Sequence, residues 1–165
     1  MGNDIISFKG EYKFLSNFYP VIVQFEGLNY PTVEHAYQAS KSKEFFFRKL
    51  IVALPASKAG LARRRGQSIR LRSDWHDVQI DIMHELLCNK FKQEPFKTKL
   101  IATGDAKIIE GNYWHDNTWG DCMCDNRDGK HPECKTTGSN WLGRLLSDIR
   151  SQVYEKGYCY RRHTQ

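Results

Sequence analysis

Over residues 74–91, apolar side chains recur as Val78, Ile82 and Leu86, with Met83 and Leu87 beside them, the spacing of a helix face buried against a core. Asp74 stands where an N-cap would, and Trp75 opens the helix. The same period returns at Trp141, Leu142, Leu145, Leu146, Ile149 and Val153, with Ser139 or Asn140 placed as cap. Two such stretches commit a chain of 165 residues to a core built from helix faces. Shorter helices are expected from the Thr32 cap to about Ser42, through Phe45-Phe46-Phe47 and Leu50-Ile51 as a buried segment before Pro55, and over 56–65 with Gly66 as its stop. Pro95 starts another that ends near Thr103-Gly104. Strand composition is confined to 5–8, to 21–25 with a turn at Glu26-Gly27-Leu28-Asn29, and to Ile108-Ile109. No repeat, linker or low-complexity tract divides the chain. The expectation is a mainly α fold with a minor β component (α+β) in one compact domain over 1–165.

Apolar residues at 40 % with 13 % aromatics suit a globular chain and exclude a disordered one. A net charge of +6 favours an anionic partner, phosphate above all. The arginines gather at Arg63-Arg64-Arg65, at Arg70 and Arg72, and in the tail Arg161-Arg162-His163. Their guanidinium forks suit phosphate, yet consecutive residues cannot share one helix face, and no helix-turn-helix, finger or RNP motif accompanies them. Five cysteines, an odd number without an apolar leader, predict a reducing cytoplasmic setting and no disulfides. No apolar run approaches the roughly 20 residues that cross a bilayer, and Met1-Gly2 lacks the Ser or Thr of a myristoylation signal, since Ile6 stands there. The expectation is a soluble protein with no membrane partner; its oligomeric state is not legible.

His115-Asp116-Asn117-Thr118-Trp119-Gly120-Asp121 places two carboxylates around a Trp-Gly pair outside any regular period. Carboxylates serve as acid, base or charge stabiliser, an indole face stacks a flat ring, and glycine lets backbone approach a ligand. On the Thr32 helix, Glu34, Gln38 and Lys41 share one face, opposite Val33, Ala36, Tyr37 and Ser40. A solvated helix surface has the same pattern. Cys122-x-Cys124, His131 and Cys134 raise the possibility of zinc, although Cys-x-Cys is tighter than the usual knuckle and the polar stretch 125–133 reads as a surface insertion. No phosphate loop or dinucleotide fingerprint occurs.

Taken in order, Phe14-Leu15-Ser16-Asn17-Phe18, Glu34-His35-Ala36-Tyr37-Gln38-Ala39-Ser40-Lys41, Arg72-Ser73-Asp74-Trp75, Lys90-Phe91-Lys92-Gln93, the Asp116 to Asp121 segment, and Gly138-Ser139-Asn140-Trp141-Leu142-Gly143 with Arg150 resemble the YbiA-like (NADAR) family over about 8–150. The resemblance implies a compact, largely helical N-glycosidase. Some members act on phosphoribosyl-pyrimidine intermediates of riboflavin biosynthesis, others on ADP-ribose attached to guanine. It implies a catalytic Glu34, with Asp116 or Asp121 activating water, because breaking a ribosyl C–N bond develops an oxocarbenium-like charge that a carboxylate stabilises. Trp75 or Trp119 would stack the base, and Lys41, Arg65 and Lys90 would hold phosphate. Asn17, Gln38, Gly120 and Asn140 complete the expected substrate contacts. The partner implied is a small phosphorylated N-ribosyl compound. Nucleic acid enters only if ADP-ribosylated guanine is the substrate, and a non-catalytic nucleotide-binding module is a third reading. This chemistry calls for no metal and no cofactor. Two departures stand out: Arg64-Arg65 where the family has Gly-Arg, and Ser147 where Met is common.

Overall fold

The computed structural model describes residues 4–125 and 130–159; Met1-Gly2, the basic tail Arg161-Arg162-His163 and part of the polar stretch 125–133 lie outside them. The described residues are mainly helical with two small two-stranded sheets. They divide between a unit of Ser16–Phe96 with Cys159 and a unit made from the segment up to Leu15 with Lys97–Tyr158. No described helix is long and apolar enough to cross a membrane.

In the first unit, β1 (Val23–Phe25) and β2 (Leu28–Tyr30) form an antiparallel hairpin in which Phe25 faces Leu28. Only Glu26-Gly27 joins them, both left-handed at φ 44° and 77°, the backbone that a two-residue hairpin turn demands. Next comes α1 (Val33–Ser40). Thr32 caps it as expected, its Oγ1 accepting the His35 backbone N–H at 3.1 Å and contacting His35 Nδ1 at 2.7 Å. All eight α1 side chains are buried, the polar stripe included, because α2 (Phe45–Val52), α3 (Ala59–Gln67), α4 (Trp75–Phe91) and the hairpin surround it. The solvated surface that the same polar pattern would also have allowed is thereby excluded, and α1 is enclosed all round.

Three local expectations are corrected here. Phe45 and Phe46 are exposed, and the buried residues of α2 are Arg48 and Ile51. Successive helical residues turn through about 100°, so three aromatics in a row cannot share one face. Gly66 does not stop α3 but lies inside it, where a Cβ would overlap the Gln38 side chain, so its missing side chain lets α3 close on α1. Asp74 makes no cap hydrogen bond, because the Arg72 guanidinium takes both its oxygens, at 2.6 and 2.9 Å. Arg72 thereby holds the carboxyl well below its ordinary range. A fourth correction concerns the thiols: Cys88 and Cys159 are paired as a disulfide, with Cα atoms 5.6 Å apart.

On α4, Ile82, Met83, Leu86, Leu87 and Phe91 are buried, as their period predicts. Lys90 is buried with them. Its ammonium donates to the Ser16 carbonyl at 2.8 Å and lies 5.2 to 5.8 Å from the ring centroids of Phe91, Tyr19 and Phe96. Burial pushes its pKa down to about 7.

In the second unit, Ile5 forms a parallel bridge with Ile108 rather than a strand, its N–H donating to the Lys107 carbonyl and its carbonyl accepting from Ile109. A 3-10 helix (Gly10–Leu15), with no counterpart in the sequence reading, and α5 (Phe96–Ile101) precede β3 (Gly111–Asn112), which pairs in parallel with β4 (Asp121–Cys122). The last helix, α6 (Trp141–Lys156), buries the expected Leu142, Leu145, Leu146, Ile149 and Val153 and stops at left-handed Gly157. Arg150 reaches from it to Thr103 Oγ1 and the Ala106 carbonyl, both at 2.9 Å.

Gly66→Ala should lower stability by about 1–3 kcal/mol through overpacking against Gln38. Gly60→Ala, on the same helix with open space around it, should be neutral or stabilise by up to about 1 kcal/mol. Urea denaturation of the pair measures the contrast. For Lys90, the unfolded chain binds a proton that the folded chain has released across the window between the depressed pKa near 7 and the ordinary lysine value, so stability rises with pH there. Lys90→Met should remove that rise, which unfolding curves at pH 6.5 and 9.5 for both proteins would report; an unaltered slope would mean a solvated ammonium.

Candidate functional site

Glu34 sits in the first turn of α1, where the helix dipole favours a carboxylate, and is only 6 % exposed. One turn on, Gln38 Nε2 donates to Glu34 Oε1 at 2.8 Å. The Glu34 backbone N–H in turn donates to the Asn17 carbonyl at 2.9 Å, fixing the stretch that carries Asn17 beside the helix start. Asn17 Nδ2 contacts Met83 Sδ at 3.5 Å. Gln38 Oε1 and Asn17 Oδ1 are buried acceptors with no hydrogen-bond partner among the described residues. Buried amide oxygens are rarely left so, and a polar ligand is one way to satisfy them.

Lys41, at the end of α1, lies over two rings, 5.5 Å from the centroid of Tyr37 and 5.8 Å from that of Trp75. The rings themselves pack 5.2 Å apart at 55°. Burial pushes the Lys41 pKa down, the Glu34 carboxylate pulls it up, and Arg63 pushes it down again. Trp75 is 4 % exposed, with one of its neighbours already a ring. Among the expected phosphate ligands, Lys41 shares this carboxylate-and-ring cluster, Arg65 is exposed and reaches the Leu50 carbonyl at 3.4 Å, and Lys90 is enclosed beside Ser16.

In the other unit, the 116–121 segment is an ordered turn. Asp116 Oδ1 accepts the Thr118 and Trp119 backbone N–H groups at 3.1 and 2.8 Å. Asn117 Oδ1 accepts from the Cys122 N–H, and Asp121 Oδ1 from the Gly138 N–H. Trp119 is half-buried, and a Cβ on Gly120 would overlap the Glu110 carbonyl. Asn140 is left-handed (φ 49°) and makes no cap bond; its amide instead donates to the Ile108 carbonyl at 2.9 Å and accepts from the Glu110 N–H at 3.1 Å. A cleft of about 390 Å³ beside it is lined by Ile108, Asp121, Gly138, Asn140 and Arg144 among others.

The structure thus brings Glu34, Gln38, Lys41 and Trp75 together in one unit and Asp116, Trp119, Gly120, Asp121 and Asn140 in the other. Sequence reasoning missed Tyr37 as a ring under Lys41, although the two are four apart on one helix, the helical signal for contact. It missed the Ser16 carbonyl because no pattern marks a backbone acceptor. It also assigned the imidazole near the thiols to His131, whereas His115 is the one within 3.4 to 3.7 Å of Cys122, Cys124 and Cys134.

Compared with known proteins, residues 7–154 match the model of the NADAR domain. The chain is 31 % identical over 157 residues to the N-glycosidase YbiA of Escherichia coli (strain K12), covering 93 % of this chain and 91 % of that protein. A riboflavin biosynthesis protein of Vibrio vulnificus is 34 % identical over 144 residues, 86 % of this chain but 36 % of its own length, so the chain spans about a third of that relative. The NMR structure of E. coli YbiA has the same fold, with a TM-score of 0.77 at 30 % identity over 100 % of this chain and 94 % of that one. With a family match running from the first 3-10 helix into α6 and a shared fold, this chain belongs to the NADAR family.

Proposed function

We propose that this protein hydrolyses the ribosyl C–N bond of phosphoribosylaminopyrimidine intermediates of riboflavin biosynthesis, disposing of reactive metabolites in the cytoplasm. It is a hydrolase of N-glycosyl bonds, the activity in the names of its full-length relatives. The finer substrate is favoured by the relatives named for riboflavin biosynthesis. The observation that carries the reading is the buried Glu34 carboxylate, oriented by Gln38 at 2.8 Å.

In this reading C1′ of the ribose lies against Glu34. As the C1′–N bond breaks, its electron pair leaves with the pyrimidine amine and positive charge grows on the ring, and a desolvated, pre-oriented carboxylate stabilises that charge far better than water does. Water adds to C1′, giving ribose 5-phosphate, and the proton it loses balances the one the amine gains. The Gln38 amide holds Glu34 in place, Lys41 supplies the nearby positive charge for phosphate, and Asn17 Oδ1 and Gln38 Oε1 are acceptors for ribose hydroxyls. Lys90 acts through Ser16 as a positioning residue. Water activation rests on Asp116 or Asp121 from the sequence motif.

Glu34→Gln keeps the shape and removes the charge, so kcat should fall by roughly 10²-fold or more while the fold, followed by circular dichroism, stays intact. The assay follows ribose 5-phosphate from the phosphoribosylaminopyrimidine and, in parallel, ADP-ribose from ADP-ribosylated guanosine. Turnover of the second alone would move the substrate to ADP-ribosyl guanine, and a folded variant with normal kcat would remove Glu34 from the chemistry. Asp116→Asn and Asp121→Asn separate the two candidates for the base. The true base should lose kcat by about 10²-fold and lose the acid limb of its pH profile, and the other should keep both.

A further inference from the structure

Cys122, Cys124 and Cys134 are free thiols, and with His115 they present four ligand atoms that all lie within 4.8 Å of one another. His115 Nδ1 is 3.4 Å from Cys134 Sγ and 3.7 Å from the sulfurs of Cys122 and Cys124. A tetrahedral zinc centre with Zn–S of about 2.3 Å and Zn–N of about 2.0 Å separates nitrogen from sulfur by roughly 3.5 Å, so the observed edges are those of a ligand cage. We propose that His115, Cys122, Cys124 and Cys134 bind one structural zinc ion that fastens the 116–121 segment.

The local backbone explains each ligand. His115 is left-handed at φ 65°, which turns its ring back toward β4. Cys122 ends β4, and in extended chain alternate residues point the same way, so the tight Cys-x-Cys spacing sends Cys122 and Cys124 to one side. Cys134 comes from the 3-10 helix Pro132–Lys135. Donors already face the sulfurs: the Cys124 N–H toward Cys122 Sγ and Asn117 Nδ2 toward Cys134 Sγ, both at 3.5 Å, the outer-shell contacts that thiolates at a metal use. His131 stacks flat on the His115 ring, centroids 3.4 Å apart at 10°, and so orients the ligand instead of being one. Three sulfurs and one nitrogen without a carboxylate select zinc over magnesium or calcium.

Binding converts three thiols and a neutral imidazole plus Zn²⁺ into a complex of net charge −1 and releases three protons, with no change of oxidation state. Its place explains its use. His115 directly precedes Asp116 and Cys122 directly follows Asp121, so the ion pins both ends of the segment carrying Trp119 and Gly120. The ion takes no part in bond breaking.

The full chain, purified under reducing conditions and supplied with zinc, should hold one zinc per chain by native mass spectrometry and elemental analysis. Cobalt in its place should give the intense visible bands of a tetrahedral thiolate site. Chelation should lower Tm, and zinc should restore it. Cys124→Ser, Cys134→Ser and His115→Ala should each lose stoichiometric zinc, whereas His131→Ala should retain it. Wild-type protein that takes up no zinc while all three thiols remain titratable would overturn the site, as would a disulfide among them in freshly reduced protein. Loss of zinc in His131→Ala with retention in His115→Ala would overturn the ligand assignment.

Discussion

Burying α1 on every side forces its polar residues to satisfy one another. A carboxylate taken out of water costs several kcal/mol unless donors and a favourable field compensate. Glu34 has both: the Gln38 amide one turn away and the N-terminal end of the helix around it. Gln38 reaches Glu34 across one turn of α1, and Gly66 of α3 leaves the room that its side chain occupies. The start of the helix is itself fixed by the Glu34 N–H on the Asn17 carbonyl. Helix packing, a glycine and one backbone bond therefore combine to hold a single carboxylate in one place, the preorganisation that charge stabilisation in a transition state requires.

Much of the scaffold was legible because it rests on periodic burial. The α4 and α6 faces and the Thr32 cap follow from spacing and local chemistry that act within a few residues. The expected four-residue turn, in contrast, shrinks to Glu26-Gly27 because Leu28 and Asn29 pair with Phe25 and Gln24 as part of β2. Where a distant partner competes, local rules fail. Asp74 sits at an N-cap position, but a bidentate arginine two residues away outbids the backbone N–H groups. Gly66 reads as a helix stop until α1 is placed beside it. The polar face of α1 gives the same pattern as a solvated one, and only the ordered family motifs favour the buried reading. His115 was passed over in favour of His131 because sequence distance, and not the left-handed turn before β4, guided the choice.

The aspartates and asparagines of the second unit have a structural meaning beside any chemical one. Asp116, Asn117, Asp121 and Asn140 each spend a side-chain oxygen on a backbone N–H. Such short polar side chains stand in for regular structure where the chain changes direction. Asn140 does so from a left-handed conformation in which most residues are disfavoured, and its amide joins two strand-like carbonyl and N–H groups at Ile108 and Glu110. Family motifs at these positions are thus explained in part by geometry, so the two aspartates need functional tests that keep their size and hydrogen-bonding shape.

Lys41 and Lys90 illustrate how the same residue type is put to different uses by its surroundings. Both are pushed toward neutrality by burial. Lys41 has the Glu34 carboxylate and the faces of Tyr37 and Trp75 to keep it charged, and each of these attracts a cation. Lys90 has ring faces and one carbonyl, its shift is set by burial, and its proton is correspondingly weakly held. A phosphate near Lys41 would meet a side chain flanked by two ring faces and influenced by the Glu34 carboxylate. Near Lys90 it would first have to reach an enclosed ammonium whose donor is committed to Ser16. The difference favours Lys41 over Lys90 for the proposed phosphate contact, while Lys90 holds the carbonyl of Ser16, the residue before Asn17.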